Sequence, residues 1–208
     1  MSTSDETVTT IDLLRHGACD GGEIYRGRTD VALSTEGWQQ MVQATASAAR
    51  WQAVATSPLQ RCRAFAEHCA SRFDIPILVI DALREMDFGE WEGRLLQDVW
   101  RSDADLVSRF YADPGTVTPP GGEPVAAAQS RVVEAWKTLL QATAGQHLLL
   151  VCHGGVIRLL LSHLLQMPLA TIARLHIPYA SIARVQVYRR DGHDFPVLMA
   201  LNSSGEPR

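Results

Sequence analysis

The 208-residue sequence predicts an α/β domain, because short apolar runs alternate with amphipathic stretches along its whole length. Two of those runs also end alike, in Leu13-Leu14-Arg15-His16-Gly17 and in Leu150-Val151-Cys152-His153-Gly154-Gly155. The composition agrees. With 46% hydrophobic and 20% charged residues, a chain of this length can bury a large core without a metal or disulfide staple. One domain over 1–208 is expected.

The first strand is placed at Val8–Leu14, rich in β-branched residues and leucine, and it runs directly into Arg15-His16-Gly17. A glycine-rich irregular loop follows to about Leu33. Ser34 reads as the N-cap of a helix over 35–50, with Trp38, Met41, Val42 and Ala49 as its apolar stripe. Ala53–Thr56 is a short strand. Ser57-Pro58 reads as N-cap and first-turn proline of a helix from Leu59 to Phe73. Ile77–Ile80 is a third strand between Pro76 and Asp81. The turn signals Asp113-Pro114-Gly115 and Pro119-Pro120-Gly121-Gly122 make 90–122 an insertion or lid beside the main sheet. A longer helix over 124–143 leads to strand His147–Cys152, then a helix from His153-Gly154-Gly155 to about Gln166. Strands at Ser181–Tyr188 and Pro196–Leu201 close the chain.

Charge and hydropathy narrow the functional classes. The net charge of -4 argues against nucleic acid or an anionic membrane surface as the main partner. No segment reaches the roughly 18 apolar residues of a membrane span. Met1–Thr10 is polar and acidic, without the basic and apolar regions of a secretion leader, so the cytoplasm is the expected location. The cysteines at 19, 62, 69 and 152 form no Cys-x-x-Cys. Cys62 and Cys69, seven apart on a helix, read as small buried side chains, and Cys19 as an oxidation-sensitive neighbour of the site. Lys137 is the sole lysine among 19 basic residues, so only the placement of particular arginines carries meaning.

That placement is informative. Ligands of open α/β sheets bind at the carboxyl ends of strands, and here two strands deliver histidines, His16 and His153, to that rim. Glycine after each permits close backbone approach, and the helix after His153 aims free N–H groups at the same place. Arg61, early in its helix, points a guanidinium back toward it. Two arginines and two histidines suit a phosphoryl group, which arginine binds through a planar fork. Zinc would need Glu85 or Cys19 as a third ligand beside those arginines, so no metal and no cofactor is expected. His68, His147, His163, His176 and His193 read as surface or packing residues.

Arg15-His16-Gly17, then Ser57-Pro58-Leu59-Gln60-Arg61, then Glu85, then Cys152-His153-Gly154-Gly155 stand in an order that resembles the histidine phosphatase superfamily, which includes the phosphoglycerate mutases. The resemblance covers about residues 8–160. It implies a three-layer α/β/α fold with a central, mostly parallel sheet, phosphoglycerate mutase-like. It further implies that His16 is the nucleophile forming a phosphohistidine, that Arg15, Arg61 and His153 bind the phosphate, and that Glu85 serves as general acid and then base. Physical chemistry supports those roles. His16 must be neutral to attack, which neighbouring guanidiniums favour. Phosphoryl transfer needs alignment and charge stabilisation on the equatorial oxygens more than covalent help.

Ala18 stands where many members carry glutamate, and the loop Cys19–Glu23 lacks their phosphate-touching asparagine. Phe88-Gly89-Glu90-Trp91-Glu92-Gly93 replaces the arginine-bearing stretch of the mutases, so hydrolysis is expected over mutase action. Within the phosphatase branches the chain is similar to the α-ribazole phosphatase group, on Tyr25-Arg26-Gly27-Arg28-Thr29-Asp30, Leu59-Gln60-Arg61-Cys62, Glu85 to Gly93, and Pro119–Glu123. That similarity implies a small-molecule phosphate monoester as substrate, α-ribazole 5′-phosphate or a late cobalamin phosphate, with Arg28 and Gly154 as further substrate contacts. A broad sugar-phosphate phosphatase, a mutase-like enzyme and a phosphate-binding module without turnover remain the alternatives.

Overall fold

The computed structural model describes residues 7–46 and 51–203. Among them the strands are β1 (Thr7–Arg15), β2 (Ala53–Thr56), β3 (Ile77–Val79), β4 (His147–Cys152), β5 (Ile182–Arg190) and β6 (His193–Ser203). They form one sheet in the order β3-β2-β4-β1-β5-β6. The first four are parallel to one another, whereas β5 and β6 run antiparallel. Helices α1 (Thr35–Ala44), α2 (Gln60–Phe73), α5 (Val125–Ala142) and α6 (Gly154–Leu164) flank the sheet, and α3 (Leu96–Ser102) and α4 (Ala104–Ala112) belong to the segment before α5.

Side-chain alternation along the strands explains the three layers. Leu13, Ala53, Ala55, Leu148 and Leu150 point to one face, where they pack with Val132, Trp136, Leu139, Ile157 and Leu160 of α5 and α6. Their neighbours Leu14, Val54, Leu149 and Val151 point to the other, against Met41 of α1 and Phe65 and Cys69 of α2. With both faces covered, β4 reads as an uninterrupted apolar run, as buried parallel strands do.

The 90–122 segment has its own apolar support. Trp91, Val99, Val107, Phe110 and Val117 gather around Val125 and Ala128 of α5, Leu159 of α6 and Ile172. Its two ends are laced together: the Glu90 N–H donates to Pro120 O (2.8 Å) and the Glu123 N–H to Asp87 O (2.9 Å). Gly89, at φ 55°, permits this crossing, since a Cβ there would lie 2.1 Å from Pro120 O.

Two sequence expectations need correction. The first helix, expected over 35–50, ends at Ala44, where Thr45 leaves helical geometry (φ -105°, ψ 4°) and its hydroxyl donates to Met41 O (2.9 Å); residues 47–50, like the polar start Met1–Glu6, lie outside the described residues. Ser34 does cap that helix, accepting the Gly37 N–H at 3.0 Å. Ser57 does not cap α2. That helix begins at Gln60, whose N–H donates to Asp30 Oδ1 (2.8 Å), and the Ser57 hydroxyl is engaged by His153.

Candidate active site

Sheet order assembles the site. β4 lies between β1 and β2, with Arg15 paired to Cys152 and Thr56 to Val151, so three neighbouring strands end together. The residues that follow them are His16, His153 and the Ser57–Arg61 stretch. The His16 N–H continues the ladder onto Cys152 O (3.0 Å), and the His16 and His153 rings meet edge to face with centroids 5.3 Å apart.

Both imidazoles are buried, at 4% and 0% exposure. His16 Nδ1 lies 2.8 Å from Gly17 O. A carbonyl only accepts, so Nδ1 carries the hydrogen and Nε2 is left with its lone pair. Burial pushes the His16 pKa well below the ordinary histidine value; the Arg61, Arg15 and Arg26 charges push the same way, and the Gly17 bond opposes them only in part. His153 is driven down by burial first, then by Arg61 and His16. A hydrogen bond of 2.7 Å joins its Nε2 to Ser57 Oγ.

Arg61 is fully buried, yet its terminal nitrogens donate only to carbonyls, Thr29 O (2.8 Å) and Gly27 O (2.7 Å) most closely. No carboxylate among the described residues pairs with it. The Nε atoms of Arg61 and Arg15 are buried without a hydrogen-bond partner among the described residues. Buried cationic donors left over in this way are what an anion requires. Arg15 also donates to Ile177 O and stacks over the Tyr179 ring at 4.0 Å.

The carbonyls that grip Arg61 are themselves fixed from the other side. Glu92 accepts the N–H groups of Gly27 (3.2 Å), Arg28 (2.8 Å), Thr29 (3.0 Å) and Phe88 (2.9 Å), together with the Thr29 hydroxyl. One carboxylate therefore locks the loop whose opposite edge cradles the guanidinium.

Glu85 is nearly buried, at 8% exposure. Its Oε1 accepts the Met86 N–H and its Oε2 the Gly155 N–H, each at 3.0 Å. Any side chain at Gly155 would displace the Glu85 carboxyl, since a Cβ there would lie 2.4 Å from Oε1. Behind Glu85, Arg131 of α5 pairs with Glu123 and donates to the carbonyls of Ala82 (2.7 Å), Arg84 (2.8 Å) and Glu85 (3.2 Å). Gly154 lets Arg15 approach: a Cβ at that position would be 3.1 Å from Arg15 Nε.

The structure thus gathers His16, His153, Arg15, Arg61, Glu85 and Gly154 around one point. Arg28 stands apart: its exposed side chain is taken up by Asp87 at 2.7 Å. From the same loop it is Arg26 whose charge acts on His16. Sequence reasoning passed over Arg26, Ser57, Glu92, Gly155 and Tyr179. For Arg26, Ser57, Glu92 and Gly155 a signal existed, since each stands inside a quoted motif without being given a role; for Tyr179 none did. Cys19 does lie beside the site, with Sγ 3.6 Å from His16 Nδ1, and Cys62 and Cys69 are buried as expected. His147 packs into a polar network with Asp12 (3.0 Å). Among the described residues no three His, Cys, Asp or Glu side chains converge as metal ligands, and no helix is long and apolar enough to cross a membrane.

The bifunctional protein Rv2228c of Mycobacterium tuberculosis is 34% identical over 187 residues, which are 88% of this chain and 51% of that protein, so the chain spans about half the length of that relative. The adenosylcobalamin/alpha-ribazole phosphatase of Salmonella typhimurium is 29% identical over 195 residues, 92% of this chain and 95% of the relative. The crystal structure of a putative alpha-ribazole-5'-P phosphatase from Escherichia coli superposes with a TM-score of 0.83 at 25% identity, covering 96% of this chain and 98% of the other. Residues 11–197 match the histidine phosphatase superfamily (branch 1), and the chain belongs to that family.

Proposed function

We propose that the protein is a phosphatase that needs no metal and hydrolyses a small phosphate monoester through a phosphohistidine at His16. The observation that carries this reading is the pairing of a buried, neutral imidazole, its Nε2 lone pair free, with two arginines whose buried Nε–H groups have no partner among the described residues. In the first step Nε2 attacks phosphorus and the P–O bond to the leaving alcohol breaks, that oxygen taking a proton from the Glu85 carboxyl. In the second step water attacks phosphorus, Glu85 accepts its proton, and the N–P bond breaks to release phosphate. Arg15, Arg61 and His153 stabilise the charge on the equatorial oxygens throughout, already in position before the reaction begins. General acid assistance of this type is worth typically about 10²–10⁴-fold.

The substrate favoured is α-ribazole 5′-phosphate or the corresponding cobalamin phosphate, in the cytoplasm. The similarity to named α-ribazole phosphatases over more than nine-tenths of the chain supports it. The test is phosphate release from α-ribazole 5′-phosphate and from ribose 5-phosphate in excess EDTA, for wild type and His16→Ala. Turnover only by wild type, faster on the ribazole ester, is expected. Faster turnover of the sugar ester would replace the cobalamin assignment with a broad sugar-phosphate phosphatase. Silence of the folded wild type on both esters and on p-nitrophenyl phosphate would leave a phosphate-binding module.

A further inference from the structure

We propose that Arg26 is a third arginine of the phosphate pocket, donating its Nε–H to an oxygen of the transferring phosphoryl group. The inference rests on the phosphatase reading and adds a substrate-binding residue to it. Among the described residues, the arginine Nε atoms buried without a hydrogen-bond partner belong to Arg15, Arg26 and Arg61. Two of these already stand at the site. The Arg26 side chain is half-buried and held in place, since its Nη2 donates to Asp20 O (2.9 Å) and Gly22 O (2.8 Å). Gly21 and Gly22, at φ 90° and 74°, take the left-handed backbone that lets this loop turn its carbonyls onto the guanidinium.

Arg26 is tied to the site through its neighbours. Its own carbonyl and that of Gly27 accept from Arg61 Nη2, at 3.5 and 2.7 Å. Burial and the Arg61 and Arg15 charges lower the His16 pKa, and the Arg26 charge adds to them. Burial raises the pKa of the Cys19 thiol, and among the charges that oppose it Arg26 comes ahead of Arg61 and Arg15. Cys19 Sγ in turn lies 3.6 Å from His16 Nδ1, so a third cation borders the nucleophile on the Cys19 side. Residues 18–25 bring no other cationic or amide side chain.

The hydrogen bonds of all three arginines go to carbonyls, and none of the three pairs with a carboxylate among the described residues. A buried cationic N–H without an acceptor is costly, and a phosphoryl oxygen removes that cost. The transferring group spreads its charge over three equatorial oxygens, which matches one left-over Nε–H from each arginine.

The direct readout is the arginine Nε–H region of ¹H–¹⁵N spectra of the wild type, assigned by through-bond correlation, with and without inorganic phosphate. At saturation the Arg26 signal is expected to move downfield and to exchange more slowly with water, together with those of Arg15 and Arg61. Arg26→Gln is expected to weaken phosphate binding, and to lower kcat/KM on p-nitrophenyl phosphate, by about tenfold or more each, the size of a hydrogen bond to a charged group. Arg63→Gln, which removes an exposed arginine paired with Glu67, should leave both within about twofold. An Arg26 signal that saturating phosphate leaves in place overturns the inference, as does wild-type phosphate affinity in Arg26→Gln; the phosphatase reading then stands on Arg15 and Arg61. A folded wild type that neither binds phosphate nor cleaves p-nitrophenyl phosphate overturns both.

Discussion

The Gly17 carbonyl, 2.8 Å from His16 Nδ1, selects the tautomer that leaves the Nε2 lone pair free, as the proposed nucleophile must have it, and burial with three nearby arginines keeps that ring uncharged. The sign of the effect is definite: a histidine whose folded pKa lies well below 6.5 stays neutral as pH falls through 6.5, where an exposed histidine gains its proton. Long-range ¹H–¹⁵N spectra at pH 6 should therefore show His16 neutral with its hydrogen on Nδ1. An imidazolium, or a hydrogen on Nε2, would remove the nucleophile as described. At this scale the sequence was legible where a residue follows a strand directly, as His16 and His153 do, because the strand fixes where the side chain starts. It was not legible in the loop between β1 and α1. There Arg26 and Arg28 differ by two positions, and neither period of regular structure says which faces inward. Glu92 was opaque for a related reason: apart from Phe88, its partners lie 63 to 65 residues away in an irregular loop.

At the level of elements, the start of α6 does two jobs, and both depend on missing side chains. Gly154 leaves room for Arg15, and Gly155 presents the N–H that anchors Glu85. Gly155→Ala places a methyl 2.4 Å from Glu85 Oε1, and the carboxyl must swing away because the helix backbone cannot. Alanine is otherwise a better helix former than glycine, so the fold should hold or gain slightly. The expected result is a fall in kcat of about 10²-fold or more, the size of losing general acid help, with Tm within a few degrees of wild type. Near-normal kcat would mean that Glu85 does not act from this position. Helix and strand identities were readable from periodicity, and the ends were less so. Ser57-Pro58 carries a helix-start signature, yet the Ser57 hydroxyl bonds the His153 ring and Asp30 from a distant loop serves Gln60 instead. Local capping rules cannot see a competing partner 96 residues away.

Across the whole molecule, the insertion of β4 between β1 and β2 brings the site together, and no local pattern announces that order. The ordered motifs implied it only through family resemblance. The same strand neighbourhood carries a polar feature that sequence did not flag. Asp12, on β1 and 1% exposed, accepts from Arg184 of β5 (2.7 and 3.0 Å), from the Trp51 indole (2.9 Å) and from His147 of β4 (3.0 Å). It ties three strands and the segment before β2 at one point. Burial alone raises its pKa, but the bonds from His147, Arg184 and Trp51 outweigh it and lower the value to about 2. A carboxyl held below its unfolded value of 3.8 stabilises the fold at every pH above about 4, and that contribution is lost as pH falls toward 2. The difference corresponds to about 2 kcal/mol. Asp12→Asn removes this pH dependence and leaves Arg184 and His147 facing a neutral amide, at a cost at neutral pH of about 3 kcal/mol. Denaturant unfolding at pH 7 and at successive steps down to pH 3 should show the wild type losing its advantage over Asp12→Asn as the pH drops. A constant difference across that range would mean that Asp12 contributes through packing and not through its charge.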